Sequence, residues 1–301
     1  MSAPFPRRRR RPVLSPSVVE LDGPFQHQMV HTRGLRLHAA VAGDPGDPLV
    51  VLLHDTFGGW FEFRRVIAPL AARGFRVAAV DARGYGLSDK PPSTSGDDLR
   101  IAAGDIAGLI RALGHDRAVV VGAGTGGTVA WALAAYYPAL VAGLVSVSAA
   151  HPVDLRRAVV ARPWLHASTL AHPLLPLLGA AAYRRHLIAS TTPDFRRTPA
   201  FREELELRQR AAQIGHTRPA VLRTSRLLMA SSRWVDAPVA APTLLIQPLQ
   251  SVRRHLARRS LTRVDAPLSV RHVPGSRNLP HLENPQGFTE VVEHFAGTLD
   301  L

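Results

Sequence analysis

Four runs of apolar residues, separated by segments with helical periodicity, set the strongest limit on how this chain can fold. The apolar runs are residues 49–54, 75–81, 118–121 and 140–147. The helical segments are residues 60–72, 97–113 and 126–137. Continuous apolar runs are typical of strands that are buried on both faces of a parallel sheet. Strands that alternate with helices build βαβ units, so the sequence predicts an α/β fold with a mostly parallel central sheet flanked by helices.

This alternation stops after residue 151 and resumes near residue 243. The segment 152–239 contains arginine-rich helical stretches and no strand pattern, whereas residues 243–246 and 268–273 again have the pattern of strands. The sequence therefore predicts one α/β domain interrupted by a helical insertion. A disordered tail is predicted at 1–24, the first core segment at 25–151, the insertion at 152–239 and the second core segment at 240–301.

Composition excludes several classes of protein. No apolar run reaches the roughly 18 residues that a bilayer span requires, so we predict a soluble, cytoplasmic protein without a transmembrane segment. The chain has no cysteine, which excludes disulfides, thiolate metal sites and a cysteine nucleophile. The formal net charge is +14 and comes almost entirely from arginine. We interpret it as a solvated surface with no specific nucleic-acid site, and binding to nucleic acid or an acidic membrane is the alternative.

The densest charge is a block of five arginines at residues 7–11, which lies between Pro6 and Pro12. A proline-flanked block of like charges has no apolar face to bury, so we expect an extended, disordered tail. The segment that follows lacks the long apolar core of a signal peptide.

A glycine-rich turn at residues 119–127, VVVGAGTGG, connects a buried strand to a helix. Gly122, Gly124 and Gly127 match G-x-G-x-x-G, the pattern of a dinucleotide site. The acidic residue that should follow about 20 positions later is missing, which disfavours that interpretation, and we predict no cofactor. The other interpretation is a nucleophile elbow, G-x-Nuc-x-G, with Gly122 and Gly126 as the outer glycines. The nucleophile position is then Gly124, which has no side chain.

Three further segments decide between these interpretations. Residues 81–91, DARGYGLSDKP, are very similar to the segment after the fourth strand of epoxide hydrolases. Residues 54–57, HDTF, are similar to that family's oxyanion segment, usually His-Gly-x-Pro, and residues 274–281, PGSRNLPH, are similar to its histidine loop. Residues 28–299 thus resemble the epoxide hydrolases and haloalkane dehalogenases of the α/β-hydrolase superfamily. The resemblance implies an α/β-hydrolase fold with a helical cap at residues 152–239.

The resemblance also implies a nucleophile, a histidine base and an acid that orients the histidine, and this chain departs from the family at all three positions. They hold Gly124, Asn278 and Gln250, respectively. Glycine cannot attack, asparagine cannot accept a proton near neutral pH, and glutamine carries no negative charge. In the oxyanion segment Asp55 replaces glycine, which would oppose a developing negative charge. We therefore predict a degenerate catalytic triad.

Other residues are weaker candidates for catalysis. His281 could act as a relocated base, Asp154 as a relocated acid and Thr125 as a nucleophile, but none has an evident partner in the sequence. We interpret His281 as a loop support and Asp154 as a hinge residue. His54 and Asp55 lack further ligands at the spacing of a metal site, so we predict no metal.

These observations predict a pocket between the core and the insertion. Its expected lining is His54, Asp55, Thr56, Trp60, Thr125 and His281. The predicted function is a non-catalytic member of a hydrolase family that binds a small apolar molecule. Two alternatives stay open: a hydrolase of epoxides, esters or haloalkanes that uses non-standard residues, and a structural or interaction protein. The sequence makes no prediction of oligomeric state.

Overall fold

The computed structural model describes residues 13–92, 96–228, 230, 233–249 and 259–301. Its centre is an eight-stranded sheet in the order β1-β2-β4-β3-β5-β6-β7-β8. The strands are β1 Gln26–Thr32, β2 Leu35–Ala42, β3 Leu49–Leu53, β4 Arg76–Val80, β5 Ala118–Ala123, β6 Val141–Val147, β7 Thr243–Ile246 and β8 Leu268–Arg271. Strand β2 is antiparallel to both of its neighbours, and the strands from β4 to β8 are parallel. The predicted mostly parallel sheet is confirmed.

The helices of the core cover both faces of the sheet. They are α1 Ile67–Ala71, α2 Asp98–Ala112 and α3 Thr125–Tyr136, followed near the C-terminus by α9 Pro280–Glu283 and α10 Pro285–Ala296. Alternate residues of β3 and β5 point to opposite faces of the sheet. Val51 and Val120 pack into the cluster that includes α2 and α3, whereas Val50 and Val119 pack into the cluster that includes α1 and α10. This two-sided burial explains why these strands are continuous apolar runs.

Between β6 and β7 the chain forms helices, which we call the helical insertion (residues 152–236). Its helices are α4 Pro152–Ala161, α5 Ala167–Ala171, α6 Ala180–Ser190, α7 Pro199–Ala211 and α8 Thr217–Leu227. Residues of the insertion line one cavity with Asp55, Gly124 and Ser148, which follow the carboxyl ends of β3, β5 and β6. The insertion therefore lies over the edge of the sheet where the carboxyl ends of the parallel strands meet, which is where open α/β sheets bind ligands.

The prediction of a disordered tail is wrong for residues 13–24. Leu14 forms an isolated β-bridge with Ile214, and Val19 is fully buried. Val19 also accepts a hydrogen bond of 2.9 Å from the indole N–H of Trp60. The apolar side chains of residues 13–24 make buried contacts. The prediction missed them because it extended the disorder expected of the arginine block to this neighbouring stretch. The arginine block at 7–11 lies outside the described residues.

No helix of the described residues is long and apolar enough to cross a membrane.

Candidate functional site

The glycine-rich turn forms a sharp strand-to-helix elbow. Strand β5 ends at Ala123, helix α3 begins at Thr125, and Gly124 between them has φ +52° and ψ −115°. A side chain on Gly126 would overlap the carbonyl group of Leu53, and one on Gly122 would overlap the backbone of Gly126. The outer glycines thus permit a close approach of the helix to β3. The positive φ at Gly124 is the strained backbone that an elbow nucleophile occupies.

The space above Gly124 is filled by another residue. A Cβ atom built on Gly124 would overlap the carboxylate of Asp55, which comes from the loop after β3. Asp55 is 5% exposed. A carboxylate group therefore lies where the side chain of an elbow nucleophile would lie, although the elbow residue does not supply it.

One oxygen of this carboxylate is held by hydrogen-bond donors from both sides of the elbow. Asp55 Oδ1 accepts the backbone N–H of Thr56 at 2.8 Å and the backbone N–H of Thr125 at 2.9 Å. It also accepts the hydroxyl of Thr125 at 3.1 Å. In α/β hydrolases the oxyanion hole consists of the N–H after the nucleophile and an N–H from the loop after β3. Asp55 Oδ1 thus occupies the oxyanion hole of this fold.

The other oxygen faces two histidines of the helical insertion. His186 Nε2 on α6 lies 3.0 Å from Asp55 Oδ2. His172 lies beside them, and the ligating atoms of all three residues are within 4.8 Å of one another. Burial alone would raise the pKa of Asp55, but His186, His172 and the N–H of Thr125 together hold that pKa well below its ordinary value. Asp55 is therefore ionised at neutral pH.

A cavity of about 520 Å³ separates the helical insertion from the core above Asp55. Asp55, Gly124 and Asn278 form part of its floor, and His166, His172 and His186 enter it from the insertion. Arg185 and Arg277 also line it, and both are exposed. The cavity lining therefore combines basic side chains with apolar ones such as Leu175 and Leu279.

A second, much smaller cavity of about 80 Å³ lies on the other side of the elbow. His54 and Thr125 line it together with apolar side chains of β3, β4, α2 and α3. His54 is fixed in place, since Nε2 accepts the N–H of Ala82 at 3.1 Å and Nδ1 lies 2.8 Å from the carbonyl oxygen of Asp55. Burial lowers the pKa of His54, which suits a neutral structural histidine.

The remaining residues of the predicted pocket line neither cavity. Thr56 is fully buried and donates its hydroxyl to Thr125 at 3.0 Å. Trp60 is a core residue, which donates its backbone N–H to Asp81 at 3.1 Å. His281 is fully buried, with ring centroids 4.6 Å from Phe63 and 5.7 Å from Phe288. All three side chains are buried in the core and do not line the cavity below the insertion.

The three predicted triad positions have different outcomes. Gly124 lies at the elbow and Asn278 lines the large cavity, where its backbone N–H donates to the carbonyl of Ser190 at 3.0 Å. Gln250 lies outside the described residues. Asp154 is paired with Arg263 at 3.1 Å, which places it in an ion pair away from Asp55.

His281 should make the fold sensitive to mild acid. Burial lowers the pKa of His281 to about 3, and Arg208 acts in the same direction. Below about pH 6.5 the unfolded chain binds a proton at His281 and the folded chain does not. The contribution of neutral His281 to the free energy of unfolding is therefore fully present above pH 6.5. It should fall by about 1.4 kcal/mol for each pH unit below that. Replacing His281 with Phe should flatten this part of the curve of unfolding free energy against pH, and an unchanged curve would show that His281 does not cause it.

A buried arginine ties the insertion to the loop that carries Asp55. Arg208 on α7 is fully buried, contacts Glu204 at 2.9 Å and forms an ion pair with Glu62. Glu62 in turn accepts the backbone N–H of Asp55 at 3.2 Å. Burial raises the pKa of Glu62 to about 8, even though Arg208 opposes the shift. Arg208, Glu204 and Glu62 therefore hold the backbone of the Asp55 loop, while the histidines of the insertion contact the Asp55 side chain.

His172 and His186 are functional candidates that the sequence does not reveal. They lie more than 100 residues from Asp55 in the chain, on a segment whose helical pattern says nothing about which side chains face the core. The one feature of the sequence that indicates a special site here is Asp55, a carboxylate at a position where the epoxide hydrolases usually have glycine.

Comparison with known proteins gives the same architecture. The family model described as alpha/beta hydrolase fold matches residues 48–181. A curated relative, AB hydrolase superfamily protein YfhM of Bacillus subtilis, is 37% identical over 161 residues, which is 53% of this chain and 56% of that protein. Epoxide hydrolase B of Mycobacterium tuberculosis is 41% identical over 125 residues, 40% of this chain and 35% of that protein. The chain thus spans between a third and somewhat more than half of the length of these relatives.

Solved structures agree over nearly the whole chain. Epoxide hydrolase A from Mycobacterium thermoresistibile aligns with a TM-score of 0.75 at 24% identity, covering 92% of this chain and 99% of that chain. An epoxide hydrolase from an endophytic Streptomyces aligns with a TM-score of 0.66 at 19% identity, covering 92% and 96%. At these identities the likeness shows the fold. Together with the elbow, it shows that the chain has the α/β-hydrolase fold. Its sequence is similar to that of epoxide hydrolase B over 40% of the chain.

Proposed function

We propose that this epoxide hydrolase-like protein does not carry out hydrolysis through the triad positions of its fold, and that it binds a small molecule in the cavity above Asp55. The observation that carries the proposal is the position of the Asp55 carboxylate. It fills both the space of the elbow side chain and the oxyanion hole.

An oxyanion hole accelerates hydrolysis because its donors point at the place where negative charge develops in the transition state. Here both backbone donors already bind a full negative charge on Asp55. A substrate oxygen would have to displace that carboxylate and would then face its charge. Gly124 offers no nucleophile and Asn278 no base, so the usual reaction lacks its nucleophile, its base and its stabilising site.

The cavity favours a polar ligand. The sequence predicts a small apolar ligand, but the exposed Arg185 and Arg277 line this cavity together with the carboxylate of Asp55. An apolar molecule would pair with none of these charges. We therefore propose a small polar molecule, with a negatively charged group directed toward the two arginines.

Purified protein should show no turnover of epoxides, haloalkanes or simple esters above the uncatalysed rate. The measurement is product release by chromatography over a panel of each class, with Asp55→Asn and His281→Ala variants assayed alongside. Turnover in the parent protein that survives Asp55→Asn and disappears in a His281→Ala variant still folded by circular dichroism would contradict the proposal and point to His281 as a base.

One observation favours a second candidate function, a hydrolase with relocated catalytic residues. Asp55 Oδ2 faces the cavity with His186 Nε2 at 3.0 Å, and Oδ1 is already in the oxyanion hole. In that mechanism Oδ2 attacks an epoxide carbon, the ring C–O bond breaks, and protonated His186 protonates the released oxygen. A water molecule then gives a proton to His186 and attacks Asp55 Cγ. The Cγ–O bond to the product breaks, and the leaving alkoxide takes that proton from His186 and departs as the diol. The carboxylic acid that forms passes its proton to His186, which restores the carboxylate of Asp55. Turnover that is abolished by both Asp55→Asn and His186→Ala, but kept in His281→Ala, would establish it.

A further inference from the structure

We propose that Asp55, His172 and His186 form a binding site for a divalent transition-metal ion, with Zn²⁺ the ion that their donor atoms suit best. The proposal deepens the proposed function and rests on it, because it names a ligand for the same cavity. One carboxylate comes from the loop after β3 and two imidazoles come from the helical insertion, so the site would form only where the two segments meet.

The donor set is that of a metal site with open positions. Two imidazoles and one carboxylate bind Zn²⁺ in several hydrolases, and the same combination with open positions binds non-haem iron. Bonds of about 2.0–2.2 Å place the donors of a tetrahedral zinc site about 3.4 Å apart. Asp55 Oδ2 and His186 Nε2 are 3.0 Å apart, and the full set lies within 4.8 Å. A shift of about an ångström in one side chain would complete this geometry.

The surroundings hold these ligands in place. Asp55 Oδ1 is fixed by Thr56 and Thr125, which leaves Oδ2 as the oxygen directed at the histidines. His172 Nδ1 lies 3.2 Å from the carbonyl oxygen of Ser225, the kind of contact that orients a metal-binding histidine through its other ring nitrogen. These contacts orient two of the three ligands before any ion arrives.

His186 is directed at the same carboxylate. Its Nε2 is the nitrogen that faces Asp55 Oδ2, and its side chain is only 12% exposed. An ion pair between His186 and Asp55 explains one contact in this cluster. His172 also brings a donor atom within 4.8 Å of those of Asp55 and His186. A cation shared by all three side chains would account for this convergence.

The charges around the site allow a cation and leave room for an anion on it. The charge of Arg208 is balanced locally by Glu204, with which it pairs at 2.9 Å. Arg185 and Arg277 line the same cavity and are exposed, so a negatively charged group bound to the ion could also pair with them. The cavity of about 520 Å³ offers space for the coordination positions that the protein leaves open.

The test is a metal titration of the full chain, produced without a histidine tag and freed of metal with a chelator. Isothermal titration with Zn²⁺ should show one equivalent of tight sites, and Co²⁺ should give the visible absorption of a four- or five-coordinate centre. His172→Ala, His186→Ala and Asp55→Asn should each weaken binding by about a hundredfold or more, since even outer contacts are worth 10–100-fold. His166→Ala, a buried histidine of the same cavity wall, is the matched control and should leave binding unchanged.

Binding that is equally tight in the His172→Ala, His186→Ala double variant, or no binding at micromolar Zn²⁺, would overturn the proposal. Should an alanine variant fold poorly by circular dichroism, His186→Gln keeps the polar contact to Asp55 and tests the same ligand. Failure of the metal site is distinguishable from failure of the proposed function. The former is read from titration and the latter from turnover by the metal-free protein.

Discussion

A Gly124→Asp variant, which restores a carboxylate to the elbow, is expected to be destabilised by about 2–5 kcal/mol. About 1–2 kcal/mol comes from holding a residue with a side chain at positive φ. A further 1–3 kcal/mol comes from forcing new atoms into occupied space, because the added Cβ would overlap the Asp55 carboxylate. Two carboxylates in contact also repel each other. The measurement is the free energy of unfolding in urea at neutral pH.

Replacing Asp55 with glycine in the same protein should recover most of this loss. The double variant Asp55→Gly, Gly124→Asp moves the carboxylate from one chain segment to the other and keeps one negative charge at the oxyanion hole. Residues in direct contact show coupling energies of 0.5–3 kcal/mol, and we expect the upper half of that range here. Gly114→Asp is the control, since Gly114 has φ +85° and no atom within 4 Å of an added Cβ.

If Gly124→Asp destabilises the protein no more than Gly114→Asp does, the Asp55 carboxylate does not occupy the elbow. The same pair bears on attempts to restore activity. Introducing Asp at 124, Asp at 250 and His at 278 would still leave Asp55 in the oxyanion hole. A catalytic repair therefore needs Asp55→Gly as a fourth change, and partial repairs should show no activity because triad members act as a unit.

The elbow illustrates what the sequence could predict. The order of strands and helices along the chain follows from the apolar runs, because a strand that is buried on both faces of a sheet consists of consecutive apolar residues. The backbone of Gly124 follows from the spacing of Gly122 and Gly126, since a close crossing of helix and strand excludes side chains at those positions. Features of this kind depend on residues that are close together in the chain, so the sequence can predict them.

The cluster around Asp55 could be predicted only to a limited extent. The sequence placed Asp55 at the oxyanion segment and indicated that its charge opposes catalysis. It could not show that the carboxylate turns inward onto Gly124, because the space there depends on a glycine 69 positions away. His172 and His186 reach Asp55 through the packing of α6 and its neighbours on the core. That packing depends on long-range contacts, for which the sequence carries no periodic signal.

The contact between insertion and core leads to the second large effect, the removal of Arg208. Arg208→Met is expected to destabilise the protein by about 3–5 kcal/mol, the usual result of deleting one partner of a buried ion pair. The guanidinium group is fully buried and contacts Glu62, Glu204 at 2.9 Å and the carbonyl oxygen of Phe57 at 3.1 Å. Without it, two buried carboxyl groups face each other and a buried carbonyl loses its donor.

Arg210→Met is the matched control, because Arg210 lies one half-turn further on the same helix and pairs with Glu206 at the surface. Exposed pairs of this kind contribute about 0–1 kcal/mol, so this variant should unfold nearly as the parent does. Combining Arg208→Met with Glu62→Gln and Glu204→Gln should recover some of the loss, since the buried charges are then removed together. Equal unfolding free energies for Arg208→Met and Arg210→Met would show that Arg208 is hydrated rather than buried. The link between the helical insertion and the Asp55 loop would then lie in the remaining contacts, which are those of the histidines, the packing of Phe57 on Tyr183 and the pair between Arg64 and Glu204 at 2.6 Å.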